Sequence, residues 1–287
     1  LGHEVSGKVV ECGKKVTTFQ PGDRVALAHH AGCRVCKLCQ EGHDSLCDQY
    51  LKTNLDPGGF STHVRVPREN VENTTLRLAD SISFDEGAFM EPLSCCLRGL
   101  NRVAMHPGDS VLVIGSGPIG LIFVQLLKAY NSGDIFSTDL VEYRLQKAKE
   151  NGASYAINPK KEALKEFIMA KTDNHGVHCI INTVGISSVY QQGLELISKG
   201  GHYLFFAETY DQGKIYFNPN LIYSKELDFV GSYSSSPDYY QIGLDLIENK
   251  QIDMKKLITH HFKLEEINKA INLAHEAKES LKLIINP

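Results

Sequence analysis

The sequence predicts an α/β protein in which a doubly wound parallel sheet follows a β-rich domain. Three observations lead to this fold class. Strand-like and helix-like segments alternate from about residue 109 to 232, a glycine-rich turn follows the first of these strands, and short strands with Gly and Pro turns occupy residues 5–66. Repeated strand–helix–strand units form parallel sheets covered by helices, whereas short runs bounded by Gly and Pro are typical of small all-β units.

The β-rich part begins close to the first residue. We expect strands at residues 5–10 and 24–27, separated by the Pro21-Gly22-Asp23 turn, and a third strand at residues 60–66. A helix is then expected over residues 84–104. Ser83 is suited to cap this helix, because its hydroxyl can accept the N–H three residues on while the Glu86 side chain bonds back.

The alternating part begins with Ser110-Val-Leu-Val-Ile114, an apolar run typical of a strand buried on both faces. The later elements follow from apolar periodicity and turn residues. Strands are expected at residues 134–138, 154–157, 178–182, 202–206, 227–231 and 281–285, and helices at residues 118–130, 141–151, 160–171, 187–198, 237–249 and 263–278.

Four cysteines, at positions 33, 36, 39 and 47, form the most informative motif. Thiols spaced three residues apart cannot all pair in disulfides without strain, but they fold readily around one ion. Four thiolates make the closed tetrahedral shell of structural Zn²⁺ sites. We therefore predict a structural zinc lobe at about residues 29–50. Unrelated thiols are the alternative, and disulfides would require an oxidising compartment, which nothing in the sequence indicates.

A glycine-rich turn, Gly115-Ser-Gly117-Pro-Ile-Gly120, stands between the 110–114 strand and the 118–130 helix. Glycines in this pattern allow a tight turn and let a pyrophosphate approach the free N–H groups at the helix start. The pattern predicts a Rossmann nucleotide site that includes Gly115, Gly117, Pro118, Ile119 and Gly120.

Asp139 ends the second strand, 19 residues after Gly120. Its carboxylate can accept hydrogen bonds from both ribose hydroxyls of NAD and repels the 2′-phosphate of NADP. We expect NAD as the cofactor, with Asp139 and Arg144 among its binding residues. Two alternatives stay open: Arg144 could favour a 2′-phosphate, and Asp139 could serve only as a helix cap.

Composition excludes several classes of function. The chain has 287 residues and a net charge of −4, which gives no broad basic surface for nucleic acid. No apolar run approaches the ~18 residues of a membrane span. Reduced thiols and the lack of a visible signal peptide favour the cytoplasm. The chain starts at Leu1-Gly-His-Glu, without Met and directly before a strand, so we expect an N-terminal segment to be missing.

Several motifs appear in a fixed order along the chain: Gly2-His3-Glu4, Pro21-Gly22-Asp23-Arg24-Val25, the cysteine lobe, Gly58-Gly59-Phe60-Ser61, Met90-Glu91-Pro92-Leu93-Ser94 and the glycine loop. Together they resemble the zinc-dependent medium-chain dehydrogenases, the alcohol dehydrogenase family, and the Glu-Pro-Leu-Ser segment is similar to its sorbitol (polyol) dehydrogenase branch. The resemblance implies a GroES-like catalytic domain at residues 1–94 and 233–287. It implies an inserted Rossmann NAD-binding domain at residues 95–232.

The resemblance also implies residue roles. His3 matches the histidine ligand of a catalytic zinc ion, Glu4 the adjacent carboxylate, and Glu91 the position where polyol dehydrogenases carry a glutamate. The family's cysteine ligand and proton-relay hydroxyl precede the Gly-His-Glu motif, so we expect an incomplete zinc shell and impaired activity in a chain that starts at Leu1. His29 and His30 are left unassigned, because adjacent strand residues face opposite sides.

The sequence thus predicts a zinc- and NAD-dependent oxidoreductase that converts a polyol or secondary alcohol into a ketone or ketose. L-threonine or a simple alcohol is the alternative substrate, and a zinc-stabilised nucleotide-binding protein without turnover is the alternative outside enzymes. The expected partners are a small-molecule alcohol and further copies of the chain in a dimer or tetramer, with no nucleic acid and no membrane. The apolar strand around Leu227, Phe229 and Val230, which we expect to be exposed, is suited to pairing between copies.

Overall fold

The computed structural model describes residues 1–210 and 213–287. Over these residues the chain divides into two compact units. The first unit contains Leu1–Arg98, Tyr233–Glu276 and Lys282–Pro287, and the second contains Gly99–Ser232 and Ala277–Leu281. Both units combine segments that are distant in sequence.

The strands and helices are numbered in chain order. The strands are β1 (Glu4–Lys8), β2 (Arg24–Ala28), β3 (Thr75–Arg77), β4 (Val111–Ile114), β5 (Ile135–Thr138), β6 (Tyr155–Ile157), β7 (Val177–Asn182), β8 (Ile197–Phe205), β9 (Asp228–Gly231), β10 (Ile258–Lys263) and β11 (Lys282–Asn286). The helices are α1 (Lys37–Gln40), α2 (Arg68–Asn73), α3 (Phe84–Gly87), α4 (Met90–Asn101), α5 (Pro118–Ala129), α6 (Glu142–Asn151), α7 (Leu164–Lys171), α8 (Ser187–Gly193), α9 (Pro219–Lys225), α10 (Tyr240–Glu248) and α11 (Ile267–Glu276).

The first unit contains an antiparallel sheet in the order β1-β2-β3 and a parallel pair of β10 and β11. Val25 and Leu27 of β2 form one small core cluster with Leu55. The strand predicted at residues 60–66 is wrong, since only an isolated bridge between Asp56 and Arg65 forms there. The N–H groups of residues 59 and 60 instead bond to the carbonyls of residues 2 and 1, so this segment follows the chain start rather than a sheet.

The helix predicted at residues 84–104 is divided into α3 and α4. Its capping box is confirmed, because Ser83 Oγ accepts from the Glu86 N–H and the Glu86 carboxylate accepts from the Ser83 N–H. Pro92 explains the interruption. A proline lacks an N–H and its ring collides with the carbonyl four residues earlier, so one helix cannot continue through residues 88–92.

The second unit contains a parallel six-stranded sheet in the order β6-β5-β4-β7-β8-β9, which confirms the predicted doubly wound sheet. All of β4 and β5 is buried. Ile114 pairs with Thr138, so the ends of β4 and β5 lie side by side. The loops that follow these two strands therefore meet at one edge of the sheet, where doubly wound folds bind ligands.

The prediction of a helix over residues 187–198 is too long at its end. Helix α8 ends at Gly193 and β8 already begins at Ile197. Gly193 packs against the ring and hydroxyl of Tyr203, so a side chain at this position would collide with β8. The close approach of helix and strand leaves room for only a short turn between them.

Candidate metal centres and nucleotide site

The four predicted metal-binding cysteines lie together in the first unit. The sulfur atoms of Cys33, Cys36, Cys39 and Cys47 all lie within 4.8 Å of one another. All eight cysteines of the chain are free thiols. Backbone N–H groups point at these sulfurs: that of Cys36 donates to Cys33 Sγ at 3.3 Å, and that of Gln49 to Cys47 Sγ at 3.4 Å. The lobe is thus built to hold negative sulfur.

The electrostatics of the lobe fit a bound cation. Hydrogen bonds from the backbone of Val35 and Cys36 lower the pKa of Cys33 to about 6. Burial raises the pKa of Cys39, and the neighbouring thiols add to the effect. One thiolate therefore forms easily, and the next requires a positive ion to compensate its charge. Four sulfurs at this separation fit the closed tetrahedral shell of structural zinc.

A hydrogen-bonded network fixes the lobe to residues 233–240. Arg34 donates to Asp44 Oδ1 at 2.9 Å and to Asp238 Oδ1 at 2.7 Å. The other oxygen of Asp44 accepts the Ser236 hydroxyl at 2.7 Å. Asp44 is fully buried, and a buried carboxylate is tolerated when both of its oxygens are paired. The conformation of the lobe thus depends on a distant part of the sequence.

A second group of donor atoms lies where β1 and α4 begin. One donor atom each of His3, Glu4 and Glu91 lies within 4.8 Å of the others. Glu91 is only 6% exposed, and burial raises its pKa to about 7. Its Oε1 accepts a hydrogen bond from the Cys95 thiol at 3.4 Å, which is a weak donor. A buried carboxyl with so little compensation fits a site that takes up a cation.

Glu4 forms an ion pair with Lys282 of β11. The Lys282 side chain is 15% exposed, and its Nζ lies 5.3 Å from the centre of the Phe89 ring. Burial lowers the pKa of Lys282 to about 8, whereas the contact with Glu4 acts in the opposite direction. Burial of its ring, followed by the charge of Lys282, lowers the pKa of His3 even though the residue is exposed overall. A low pKa favours the neutral imidazole that a metal ion requires.

The two unassigned histidines, His29 and His30, lie in a row of neighbouring rings that begins at His3. The ring centroids of His3 and His29 are 4.6 Å apart, and those of His29 and His30 are 4.1 Å apart. His30 Nδ1 lies 2.5 Å from the carbonyl oxygen of Thr53, whereas His29 Nδ1 is buried without a hydrogen-bond partner. Burial lowers the pKa of His29 to about 3. His29 is thus a neutral ring that packs on the donor histidine.

In the second unit the glycine loop joins β4 to α5. Gly115 has φ of +95°, which favours glycine, and a Cβ there would lie 2.6 Å from Thr183 Oγ1. A Cβ on Gly120 would collide with the carbonyl oxygen of Gly115. Around Gly117 the space is open, since the nearest atom to a Cβ there belongs to Arg144 at 3.7 Å. A side chain at Gly117 would fill the space through which a phosphate reaches the backbone.

The predicted residues Pro118 and Ile119 form the first turn of α5, with Gly117 as N-cap and no side chain bonded to the cap. The N–H groups at this end of the helix point toward the open space at Gly117, where the helix dipole favours an anion. The loop and helix therefore fit the pyrophosphate of a dinucleotide.

Asp139 follows β5 and faces the same loop. Its Oδ2 accepts the Ser116 N–H at 3.0 Å and its Oδ1 accepts the Val141 N–H at 2.9 Å. Arg144 Nη1 lies 3.9 Å from Oδ2, and Arg144 Nε is buried without a hydrogen-bond partner. The helix-cap alternative is not supported, because Val141 is the N-cap of α6 and no side chain bonds to this cap. The bond to Ser116 fixes the carboxylate beside the glycine loop, as ribose binding requires.

Known proteins resemble both units. The family model for zinc-binding dehydrogenases matches residues 118–249, and that for the alcohol dehydrogenase GroES-like domain matches residues 1–75. The sorbitol dehydrogenase of Halalkalibacterium halodurans is 33% identical over 100% of this chain and 83% of its own length. That of Bacillus subtilis is 32% identical over 100% and 80%. The chain belongs to the zinc-binding alcohol dehydrogenase family.

Solved structures agree with this assignment. The 2R,3R-butanediol dehydrogenase of Bacillus subtilis is 28% identical with a TM-score of 0.87, covering 99% of this chain and 80% of that one. A zinc-binding dehydrogenase of Sinorhizobium meliloti bound to NADP is 27% identical with a TM-score of 0.89, covering 100% and 83%. The predicted arrangement of a GroES-like and a Rossmann fold is therefore confirmed, as are the enzyme class and the cofactors, zinc and a nicotinamide dinucleotide.

Two further observations concern this alcohol dehydrogenase. Among the described residues, no helix combines the length and the apolar character that crossing a bilayer requires. Lys282, His29 and Asp44 also form parts of the candidate sites, although the sequence alone did not assign them there. For Lys282 the available indication was a single cation inside the apolar run at residues 281–285, and for Asp44 an acid inside the cysteine lobe.

Proposed function

We propose that this alcohol dehydrogenase oxidises a polyol or secondary alcohol with NAD⁺, giving a ketone or ketose. The observation that carries the proposal is the convergence of Glu91 with His3 and Glu4. Imidazole and carboxylate donors with an exchangeable position suit a catalytic zinc ion, in contrast to the all-sulfur shell of the cysteine lobe. The sorbitol dehydrogenases and the D-xylulose reductase of Aspergillus niger, 30% identical, support the substrate class.

In the proposed reaction, a zinc ion held by His3, Glu4 and Glu91 would supply Lewis acidity toward the substrate oxygen, and a bound nicotinamide would be the hydride acceptor, with the hydroxyl proton released to solvent. The chain's own residues position these groups. Glu91 is fixed by its burial in the first turn of α4. His3 offers a neutral nitrogen because burial and Lys282 lower its pKa. The His29 ring packs against His3 and limits its rotation.

The same proposal assigns NAD rather than NADP to the nucleotide site. Two backbone N–H groups hold the Asp139 carboxylate beside the glycine loop. Its charge can accept the ribose hydroxyls of NAD and repel a 2′-phosphate. Arg144 acts in the other direction, but its guanidinium already lies 3.9 Å from the Asp139 carboxylate. We further assign residues 1–94 and 233–287 to the catalytic domain and 95–232 to the NAD-binding domain, with support from the matched family models.

The proposal also includes the cellular compartment and the oligomeric state. Eight free thiols suit the reducing conditions of the cytoplasm. Strand β9 is an edge of the six-stranded sheet. The expected exposure of its apolar residues is wrong, since Leu227 is buried and Phe229 and Val230 are half-buried, whereas nearby Tyr223 is 83% exposed. An edge strand beside an exposed aromatic residue suits pairing with a second copy of the chain. A monomeric mass in solution would contradict the proposed homo-oligomer.

The decisive experiment measures NADH formation by the full-length protein with sorbitol, xylitol, 2,3-butanediol, L-threonine and ethanol. Metal content is determined on the same samples, with and without chelator. We expect the polyols to be preferred, chelation to abolish turnover, and Glu91→Gln to reduce kcat/KM by roughly a hundredfold. Glu11→Gln, at an exposed position, is the matched control. Turnover that survives metal removal, or full activity of Glu91→Gln, would refute the proposal.

A further inference from the structure

Lys282 is a largely buried cation in the first unit, and its contact with Glu4 has no role in the reaction described so far. It begins β11, where it lies opposite Ile258 of β10, and its neighbour Leu281 is buried. Its ammonium group lies between the face of the Phe89 ring and the carboxylate of Glu4. Phe89 is fully buried, so its ring supports the lysine stem and attracts the charge. Lysine is rarely buried in this way unless it is paired.

The pairing engages one particular oxygen of Glu4. Lys282 Nζ contacts Oε2, so a single oxygen of this carboxylate remains for a metal ion held with His3 and Glu91. We infer that Lys282 is a positioning residue that restricts Glu4 to one donor oxygen and thereby keeps a coordination position open for the substrate oxygen. This inference rests on the proposed metal site.

The physical reason lies in the two binding modes of a carboxylate. Carboxylates bind cations through one oxygen or through both, whereas catalytic zinc sites keep one position exchangeable. Without the lysine, both oxygens of Glu4 are free to bind the metal ion. The number of donor atoms at the site then rises by one. The carboxylate also loses its compensating charge, and an unpaired, partly buried anion binds a cation more strongly. Removing Lys282 should therefore tighten metal binding and weaken substrate binding.

Lys282→Met tests this, because methionine keeps an apolar stem against Phe89 and removes the charge. Co²⁺ is titrated into the metal-free full chain, and binding is followed by the absorption spectrum of the ion. Co²⁺ bound at the cysteine lobe shows thiolate charge-transfer absorption, which distinguishes it from Co²⁺ at the site of His3, Glu4 and Glu91. We expect affinity at the His3, Glu4 and Glu91 site to rise about tenfold. The KM for the preferred polyol should rise about as much, with a smaller change in kcat. Lys282→Arg should restore both values, and Lys8→Met, at an exposed position of β1, should change neither.

A double-mutant cycle with Glu4→Gln identifies the route of the effect. If Lys282 acts through Glu4, Lys282→Met changes neither metal affinity nor KM in the Glu4→Gln background. Unchanged or weaker metal binding in Lys282→Met overturns the inference, as does an effect that persists with Glu4→Gln. Unaltered Co²⁺ affinity of the cysteine lobe shows that each variant is folded. If the unmodified chain binds no ion at the three-donor site, the proposed function fails, and the inference fails with it.

Discussion

Replacing Glu91 with Gln should stabilise the metal-free protein at neutral pH. Burial raises the pKa of Glu91 to about 7 from an ordinary value of 4.5. Between these values the unfolded chain releases its proton while the folded chain retains it, so the free energy of unfolding falls as pH rises. At 1.36 kcal/mol for each tenfold change in proton affinity, the full loss is about 3 kcal/mol and is complete above pH 7. A neutral Gln amide in the same position carries no such loss.

The assay is urea unfolding of chelator-treated protein at a series of pH values from 4 to 8. We compare the free energy of unfolding of Glu91→Gln with that of the unmodified chain. Relative to the unmodified chain, the value for the variant should rise by about 3 kcal/mol over this pH range. Glu11→Gln, which changes an exposed carboxyl, is the control for the loss of one charge. The reasoning is wrong if the difference is independent of pH, or if it moves toward the unmodified chain. Saturating zinc should reverse the order of stability, because Glu91 then contributes to binding the ion.

Two other predictions concern the cysteine lobe and the nucleotide site. Cys36→Ser removes one of four converging sulfurs, so tightly held zinc should fall by one equivalent and the urea midpoint of unfolding should decrease; retention of that zinc by the variant would contradict the proposed shell. Asp139→Ser removes the charge that repels a 2′-phosphate and leaves Arg144 in place, so the ratio of kcat/KM for NAD over NADP should fall about a hundredfold. An unchanged ratio would mean that Asp139 serves only to hold the backbone at Ser116 and Val141.

Much of the second unit could be predicted from the sequence because its rules are local. The apolar run before Gly115, the glycine spacing and the acid after the second strand each depend on a few neighbouring residues, and the structure has all of them in the expected order. The interruption of the 84–104 helix could have been predicted as well, since Pro92 excludes a continuous helix.

The remaining differences depend on tertiary contacts. Residues 60–66 have the composition of a strand, but their N–H groups near residues 59 and 60 find partners at residues 1 and 2. The place of Lys282 beside Glu4 requires β11 to reach the start of β1, and no local pattern carries that information. His3, Glu4 and Glu91 were assigned together through family resemblance, because spacing alone cannot bring a helix start to a strand start.

The connection between the cysteine lobe and Ser236 has a consequence for the order in which the chain folds. Ser236 follows Asp44 by 192 residues, which corresponds to about 10–40 s of protein synthesis. During that interval the ribosome synthesises all the residues that form the parallel sheet of the second unit. The carboxylate of Asp44 still lacks its hydrogen bond from Ser236 over this time. We therefore expect the parallel sheet of the second unit to form first, and the unit that contains both candidate metal centres to reach its final form only when the last fifty or so residues emerge.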